Sequence, residues 1–147
     1  MVPLSVDRVT DFSETLLRSL ETLLPQLSPR LGAPTEERLR AMLAQPATVL
    51  FAARTPEGVV GVLALTWYDV PSGRKAWIED VVVDAAARGL GVGEALVRAA
   101  QRYAAGIGAE RVMLTSNPSR TAARALYRKC GFKEAETTVF VCKTDTE

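Results

Sequence analysis

The chain has 147 residues, of which 48% are hydrophobic and 24% are charged, and its formal net charge is +1. The length and hydrophobic content predict a single domain over residues 1–147, and the balanced charge argues against a nucleic-acid partner. The chain contains no histidine, which excludes His-based catalysis and most zinc sites, so we expect no metal.

The first half of the chain is predicted to hold one short strand, two helices and a hairpin. Its start shows no secretory signal, and the chain contains no run of about 18 apolar residues, so we expect a cytoplasmic protein without a membrane partner. Thr10 or Asp11 is the expected cap of the first helix, and Thr35 opens the second. The predicted elements are a strand over 4–9, a helix to about residue 24, a loop over 25–34, a helix ending before Pro46, and strands over 48–54 and 59–68.

The second half is predicted to alternate strands and helices. Glu94 and Arg98 are expected to pair on the outer face of its first helix. Cys130 and Cys142 lack metal-ligand spacing, so we expect both to be small buried apolar side chains in a reducing compartment. The elements are strands over 76–83, 111–115 and 137–142 and helices over 93–105 and 121–130. The fold class is therefore α/β with a mixed central sheet, in the order β-α-α-β-β-β-α-β-α-β, whose centre is a right-handed parallel βαβ unit.

A glycine-rich turn joins the strand over 76–83 to the following helix. Alternate glycines let the backbone turn tightly and approach a ligand, and the helix that opens there directs free N–H groups into the same space. The turn therefore predicts an anion site. Its spacing fits neither a dinucleotide fingerprint nor a nucleoside-triphosphate P-loop. It reads Arg88-Gly89-Leu90-Gly91-Val92-Gly93 and is followed by Glu94.

Two segments together resemble the GNAT superfamily, the GCN5-related N-acetyltransferases. The turn matches that family's Gln/Arg-x-x-Gly-x-Gly/Ala loop for acyl-CoA pyrophosphate. About 30 residues on, Asn117 ends a strand, and a helix follows that carries Ala123, Leu126 and Tyr127 in an Ala-x-x-Leu-Tyr pattern and closes on Gly131-Phe132. The matching segments lie within residues 77–132. The resemblance implies an enzyme that transfers an acetyl group from acetyl-CoA to a primary amine by direct attack in a ternary complex.

The resemblance also assigns roles in binding acetyl-CoA. The loop from Arg88 through Leu90 to Glu94 would hold the pyrophosphate, with backbone N–H groups contributed by Gly89, Gly91, Val92, Gly93 and Glu94 and a charged contact by Arg88. The strand Val81, Val82 and Val83 would pair with the pantetheine amides and polarise the thioester oxygen. Without a ligand these valines would simply be a buried strand.

Two catalytic roles follow with different support. Tyr127 matches the family's general acid, which protonates the departing thiolate; the alternative is a tyrosine packed against the sheet with its hydroxyl in solvent. Glu79 is the favoured base over Asp80, and either could instead be a solvent-facing or ion-paired strand residue. Simple alternation would put Glu79 on one face with Trp77, Val81 and Val83, and Asp80 on the other with Ile78 and Val82.

Several neighbouring residues keep two interpretations. Asn117 either bonds a pantetheine amide or caps the next helix, and Ser119 is another cap candidate. Arg120, Arg124 and Arg128 form a stripe that is either solvated surface or a contact for the CoA 3′-phosphate.

The acceptor is not identified by the sequence. Aminoglycosides, polyamines, amino acids, peptide N-termini and protein lysines all stay open. Aromatic and acidic side chains that could receive a cationic amine are Glu36, Glu37, Trp67, Tyr68, Asp69 and Phe140. The resemblance makes a homodimer plausible. A non-catalytic acyl-CoA sensor is the alternative function, and Tyr127 argues against it because a sensor needs no proton donor.

Overall fold

The computed structural model describes residues 3–144 and is built around a five-stranded sheet. The strands follow one another across the sheet in chain order, and a short 3₁₀ turn, Ala85–Ala87, precedes the third helix. The elements are β1 (Ser5–Val9), α1 (Glu14–Leu27), α2 (Glu36–Leu43), β2 (Thr48–Thr55), β3 (Gly58–Val70), β4 (Gly73–Val83), α3 (Val92–Gly106), β5 (Arg111–Met113) and α4 (Thr121–Lys129).

The mixed α/β sheet predicted from the sequence is confirmed. β1 to β4 pair antiparallel with their neighbours, and β4 pairs parallel with β5. Parallel neighbours need a crossover, and α3 supplies it. The predicted order of elements holds as far as α4.

The prediction of a last strand over residues 137–142 is wrong. These residues adopt no regular secondary structure. Val139, Phe140 and Val141 are 61%, 91% and 86% exposed. An apolar run fits a strand only where a neighbouring strand accepts its hydrogen bonds, and in residues 3–144 the sheet ends at β5. β5 itself ends at Met113, two residues earlier than predicted.

The first helix is displaced from its predicted bounds at both ends. The cap is Ser13, whose Oγ accepts a hydrogen bond from the Leu16 N–H at 3.1 Å, rather than Thr10 or Asp11. The helix then continues through Pro25 to Leu27. A proline in a helix removes one backbone donor, and here it sits in the last turn, where the Ser28 N–H still donates to the Leu24 carbonyl at 3.1 Å.

Two apolar cores lie on opposite faces of the sheet. Leu96 and Val97 of α3 are fully buried on one face, and Leu16, Leu23 and Leu39 of α1 and α2 on the other. α3 approaches β3 closely at Gly61, where an added Cβ would lie 3.0 Å from Val92 Cγ1. None of the helices within residues 3–144 is long and apolar enough to cross a membrane.

Candidate active site

β4 and β5 diverge, and a cavity lies between them. The two strands pair only where residues 75–77 meet residues 111–113, although β4 continues to Val83. Beyond that point the side of β4 that faces β5 has no strand partner within residues 3–144. The gap holds a cavity of about 280 Å³ lined by residues 78–81, by residues 114–117, and by Leu27, Arg120 and Tyr127. An extended ligand that offers amide groups can pair with a strand edge of this kind.

A β-bulge interrupts β4 at this cavity. Val82 pairs with Val62 and Glu79 with Ala64, so Asp80 and Val81 together stand opposite Leu63. Asp80 has a φ of +50°, the only non-glycine residue with positive φ in the part of the chain that the structure describes. Bulges and positive φ values concentrate near functional sites, where they redirect side chains.

The bulge overturns the predicted alternation of β4. Ile78, Val81 and Val83 all pack toward the α3 core, whereas Val82 packs in the α1 core. Glu79 therefore does not share a face with Val81 and Val83. Ile78 and Val82 lie on opposite faces, so the predicted grouping of Asp80 with both of them is also wrong. The extra residue reverses the phase of the strand. Both carboxylates are exposed, and both line the cavity.

The glycine loop leaves backbone N–H groups free at the start of α3. Gly89 and Gly91 have φ values of +84° and +77°, and a Cβ on either would meet no atom within 4 Å. Gly91 is the N-cap of α3 and provides no side-chain cap, while the first helical bond runs from the Ala95 N–H to the Gly91 carbonyl. The N–H groups of residues 92–94 consequently have no helical partner and suit an anion. Arg88 and Leu90 are exposed in this loop.

Gly93 and Glu94 connect the loop to α4. A Cβ on Gly93 would lie 2.9 Å from Leu126 Cδ2, so this glycine permits the close packing of α3 on α4. Glu94 forms a 2.9 Å ion pair with Lys129. The sequence predicted Arg98 as the partner of Glu94, and that prediction is wrong. The hydrogen bond from Lys129 lowers the pKa of the Glu94 carboxyl, so Glu94 is ionised and its charge is balanced beside the loop.

Tyr127 lies in the wall of the cavity, and its ring packs edge-on against Phe132 with centroids 6.0 Å apart. Burial raises the pKa of the phenol, and the charge of Arg120 opposes that shift only in part. The hydroxyl therefore keeps its proton at neutral pH. A protonated phenol in a cavity beside two carboxylates is chemically able to donate a proton to a leaving group.

Asn117 and Ser116 form the far wall of the cavity. Asn117 Oδ1 accepts hydrogen bonds from the Ser119 N–H at 2.9 Å and from Ser119 Oγ at 2.8 Å. Asn117 thus shapes the turn before α4, and its side-chain N–H groups donate to no other residue among those described. Ser116 Oγ is the one buried side-chain N or O atom of residues 3–144 without a hydrogen-bond partner. An unpaired buried hydroxyl is costly unless a ligand satisfies it.

All three arginines of the predicted stripe at α4 bind other residues of the chain. Arg120 donates to the Leu27 carbonyl and so joins the start of α4 to the end of α1. Arg124 and Arg128 both contact the Glu134 carboxylate. Residues 131–134, with Arg128, also line a second concavity of about 420 Å³, which contains none of the residues predicted for catalysis or for the pyrophosphate.

Several residues considered for the acceptor are committed elsewhere. Trp67 packs on Tyr103 in the α3 core, with ring centroids 5.6 Å apart. Asp69 is held by Arg74, whose Nε lies 2.7 Å from Asp69 Oδ1, and Glu36 pairs with Arg40 at 2.8 Å. Tyr68 does remain 43% exposed.

The structure brings together some of the predicted site residues and separates others. Glu79, Val81, Asn117 and Tyr127 line one cavity, whereas Val82 is buried in the opposite core and the glycine loop follows Val83 outside the cavity wall. Ser116 was not singled out from the sequence, because a serine beside a capping asparagine suggests only a turn. Within residues 3–144, no group of three or more Cys, Asp or Glu side chains could share a metal ion.

Comparisons with known proteins point to one family and one fold. The sequence model of the Acetyltransferase (GNAT) family matches residues 14–132. Glucosamine 6-phosphate N-acetyltransferase 1 of Oryza sativa subsp. japonica is 39% identical over 122 residues, which cover 76% of this chain and 72% of the rice protein. A putative acetyltransferase from Agrobacterium tumefaciens str. C58 has a similar structure, with a TM-score of 0.83 and 29% identity over 95% of this chain and 99% of that one.

The fold is also shared at lower sequence identity. The aminoglycoside acetyltransferase meta-AAC0020 from an uncultured soil metagenomic sample superposes with a TM-score of 0.85 and covers 97% of both chains. Its sequence is 22% identical, so this likeness concerns the architecture alone.

Proposed function

The chain belongs to the acetyltransferase (GNAT) family, as its sequence predicted, and from that premise we propose that it transfers an acetyl group from acetyl-CoA to a primary amine by direct attack within a ternary complex. The observation that carries the proposal is the divergence of β4 from β5 around a cavity whose wall includes Tyr127, a phenol held in its protonated form. Acetyl-CoA supplies the activated acetyl thioester.

The residues present fit acetyl-CoA at three points. The N–H groups of residues 92–94 lack helical partners and, with the open backbone at Gly89 and Gly91, provide donors for a pyrophosphate. The side of β4 that faces β5 offers strand-edge groups to the pantetheine amides around Val81. The unpaired Ser116 hydroxyl and the Asn117 amide offer further bonds across the cavity.

Proton transfers can be assigned to this chain's own side chains. Glu79 accepts the proton that the amine loses on attacking the thioester carbon, either directly or through one water molecule. Tyr127 donates its phenolic proton to the sulfur as the carbon–sulfur bond breaks. Each group then exchanges its proton with solvent, so the turnover is balanced. Asp80 is the alternative base, because it lines the same cavity.

The acceptor to test first is an amino sugar phosphate. Two rice relatives, at 39% and 47% identity over 122 and 62 residues, carry the name glucosamine 6-phosphate N-acetyltransferase, the second as a probable one. We propose that this chain accepts an amine of the same class.

The test is release of free thiol from acetyl-CoA with a panel of amines that includes glucosamine 6-phosphate, glucosamine, spermidine, an aminoglycoside and a peptide. We expect thiol release that depends on the amine, together with mass-spectrometric detection of the N-acetyl product. Binding of acetyl-CoA with no thiol release from any amine in a broad panel would favour the sensor function over the enzyme.

A further inference from the structure

Among the residues that the structure describes, no helix covers one part of the sheet face on which α1 and α2 lie. α1 and α2 pack over Leu50, Ala52, Val62 and Val82. Farther along β3 to β5 the same face continues through two rungs, a rung being a row of residues paired across neighbouring strands. The first rung is Tyr68, Lys75 and Arg111, and the second is Thr66, Trp77 and Met113. We call these six residues the open face. None of them is fully buried, and the apolar members Tyr68, Trp77 and Met113 belong to neither core.

The neighbouring rung verifies this assignment. Trp67 pairs with Ala76, and Ala76 with Val112. All three pack in the α3 core on the other side of the sheet. Because side chains alternate along a strand, the rungs on either side of this one must face away from α3.

The open face carries two aromatic rings in a fixed arrangement. Trp77 Nε1 donates a hydrogen bond to Tyr68 Oη at 3.0 Å. Tyr68 is nevertheless 43% exposed and Trp77 is only partly buried. Rigid aromatic side chains at a surface bind ligands at a small entropic cost, so this pair suits the apolar face of a sugar ring.

The open face also carries two cations side by side. Lys75 and Arg111 are direct partners across β4 and β5, and like charges directly opposite each other destabilise a sheet. Within residues 3–144 neither one forms an ion pair, in contrast to the adjacent Arg74, which Asp69 holds. The nearby Glu110 carboxylate lies against Gly73 instead, with Oε1 3.2 Å from the position of an added Cβ there. The two cations therefore match an anionic ligand.

The catalytic cavity begins at the next position on the same face. Glu79 pairs with Ala64, which belongs to this face, and Glu79 lines the cavity beside Tyr127. Lys75 and Glu79 are four residues apart on one strand, which corresponds to about 13 Å between their Cα atoms. Trp77 lies between them. A ligand of the size of a phosphorylated sugar can therefore extend from the cationic end of the strand to the end that accepts a proton.

We propose that the open face binds the acceptor and selects an amine that carries a phosphate, with Lys75 and Arg111 holding the phosphate, Trp77 and Tyr68 supporting the ring, and Glu79 facing the amine. This assignment rests on the proposed acetyl transfer, but it adds the residues that distinguish a phosphorylated acceptor from its unphosphorylated counterpart.

The test compares glucosamine 6-phosphate with glucosamine at saturating acetyl-CoA. We expect wild type to prefer the phosphorylated acceptor in kcat/KM. The double variant Lys75→Met, Arg111→Met should lower kcat/KM for glucosamine 6-phosphate by about 10- to 100-fold, the range for hydrogen bonds to charged groups, through KM rather than kcat. Glucosamine turnover and the KM for acetyl-CoA should change less than about twofold. Lys133→Met, which removes an exposed lysine after α4, is the matched control.

A binding measurement keeps the assignment testable without turnover. Glucose 6-phosphate lacks the amine, and calorimetry on the protein with CoA should detect its binding to wild type and to Lys133→Met, with much weaker binding to the double variant and to Trp77→Leu. Circular dichroism should show that all variants are folded. Absence of glucose 6-phosphate binding to wild type, or an equal loss for both sugars in the double variant, would overturn the assignment. Failure of every amine to release thiol would instead refute the acetyl transfer.

Discussion

The two faces of the sheet are completed in different ways. α3 and the residues around it cover one face along β2, β3 and β4, and Leu96 and Val97 there have no solvent exposure. On the other face α1 and α2 stop short, and the open face keeps two aromatic rings and two cations in contact with solvent. The covered face positions the glycine loop and Tyr127 for the donor, and the uncovered half is the surface left for the acceptor.

The largest effect is expected from Tyr127→Phe, which keeps the ring and removes the proton. A general acid contributes about 100- to 10,000-fold to rate, so kcat should fall by at least about 100-fold while the KM of the acceptor changes little. If Tyr127→Phe also raised the KM of the acceptor strongly, the donor and acceptor functions would not be divided between the two faces. The matched control is Tyr103→Phe, because Tyr103 lies in the α3 core away from the cavity.

The pH dependence of kcat tests the acid role of Tyr127 further. The pKa of Tyr127 is raised by burial, so the acid form persists to a higher pH than for an ordinary tyrosine, whose pKa is about 10. Activity that depends on this proton should be fully present below that pH and should fall only above it. A wild-type kcat that fell with a midpoint below about pH 9, together with an unchanged profile in Tyr127→Phe, would contradict the acid role.

Stability should distinguish the covered face from the open one. Leu96 of α3 is fully buried against the sheet, so Leu96→Ala should lower the free energy of unfolding by about 2 to 5 kcal/mol. Tyr68→Leu on the open face loses one hydrogen bond and should cost about 1 kcal/mol. Urea unfolding of both variants measures the difference, and equal losses would mean that the open face is part of the core.

The glycine loop tests the donor side more finely. Gly91 has a φ of +77°, so Gly91→Ala should cost about 1 to 2 kcal/mol of stability, and acetyl-CoA should bind several-fold more weakly because the cap geometry changes. Gly32→Ala is the control, since that glycine has open space around it and no positive φ. Unfolding and acetyl-CoA titrations that gave the same results for both variants would argue against a structured anion site.

The smallest effect is expected at the ion pair between Glu94 and Lys129. Lys129→Met leaves the Glu94 carboxylate without its partner beside the N–H groups of the loop, so the KM for acetyl-CoA should rise by about two- to fivefold at low salt. The effect should shrink as salt is added. Lys143→Met serves as the control at an exposed position, and a rise confined to the acceptor KM would contradict the donor assignment.

The parts that could be predicted from the sequence depend on short-range signals. The glycine spacing and the pattern around Tyr127 lie within a few residues of the groups that they position, and the family that they indicated is confirmed. The parts that could not be predicted depend on pairing between distant residues. The bulge at Asp80 arises from the register of β4 on β3, and it reversed the expected faces of Val81 and Val82. The run over 137–142 has strand propensity, yet no strand among the described residues pairs with it.

The open face could not be predicted either, because it also depends on pairing between distant residues. Tyr68, Lys75 and Arg111 are scattered in the sequence and become a row only through two registers. Trp67 and Tyr68 were equal candidates for the acceptor, because adjacent residues in a strand face opposite sides and the sequence does not say which side is covered. The exposed side belongs to Tyr68.

Amide chemical shifts measured by nuclear magnetic resonance test the division between donor and acceptor surfaces most directly. Addition of CoA should shift the signals of residues 89–94, Val81 and Ser116, whereas subsequent addition of glucose 6-phosphate should shift the Trp77 indole and the amides of Lys75 and Arg111. The account predicts two sets that meet only at Glu79 and its neighbours in the cavity. A single shared set, or a CoA response that leaves the glycine loop unchanged, would contradict it.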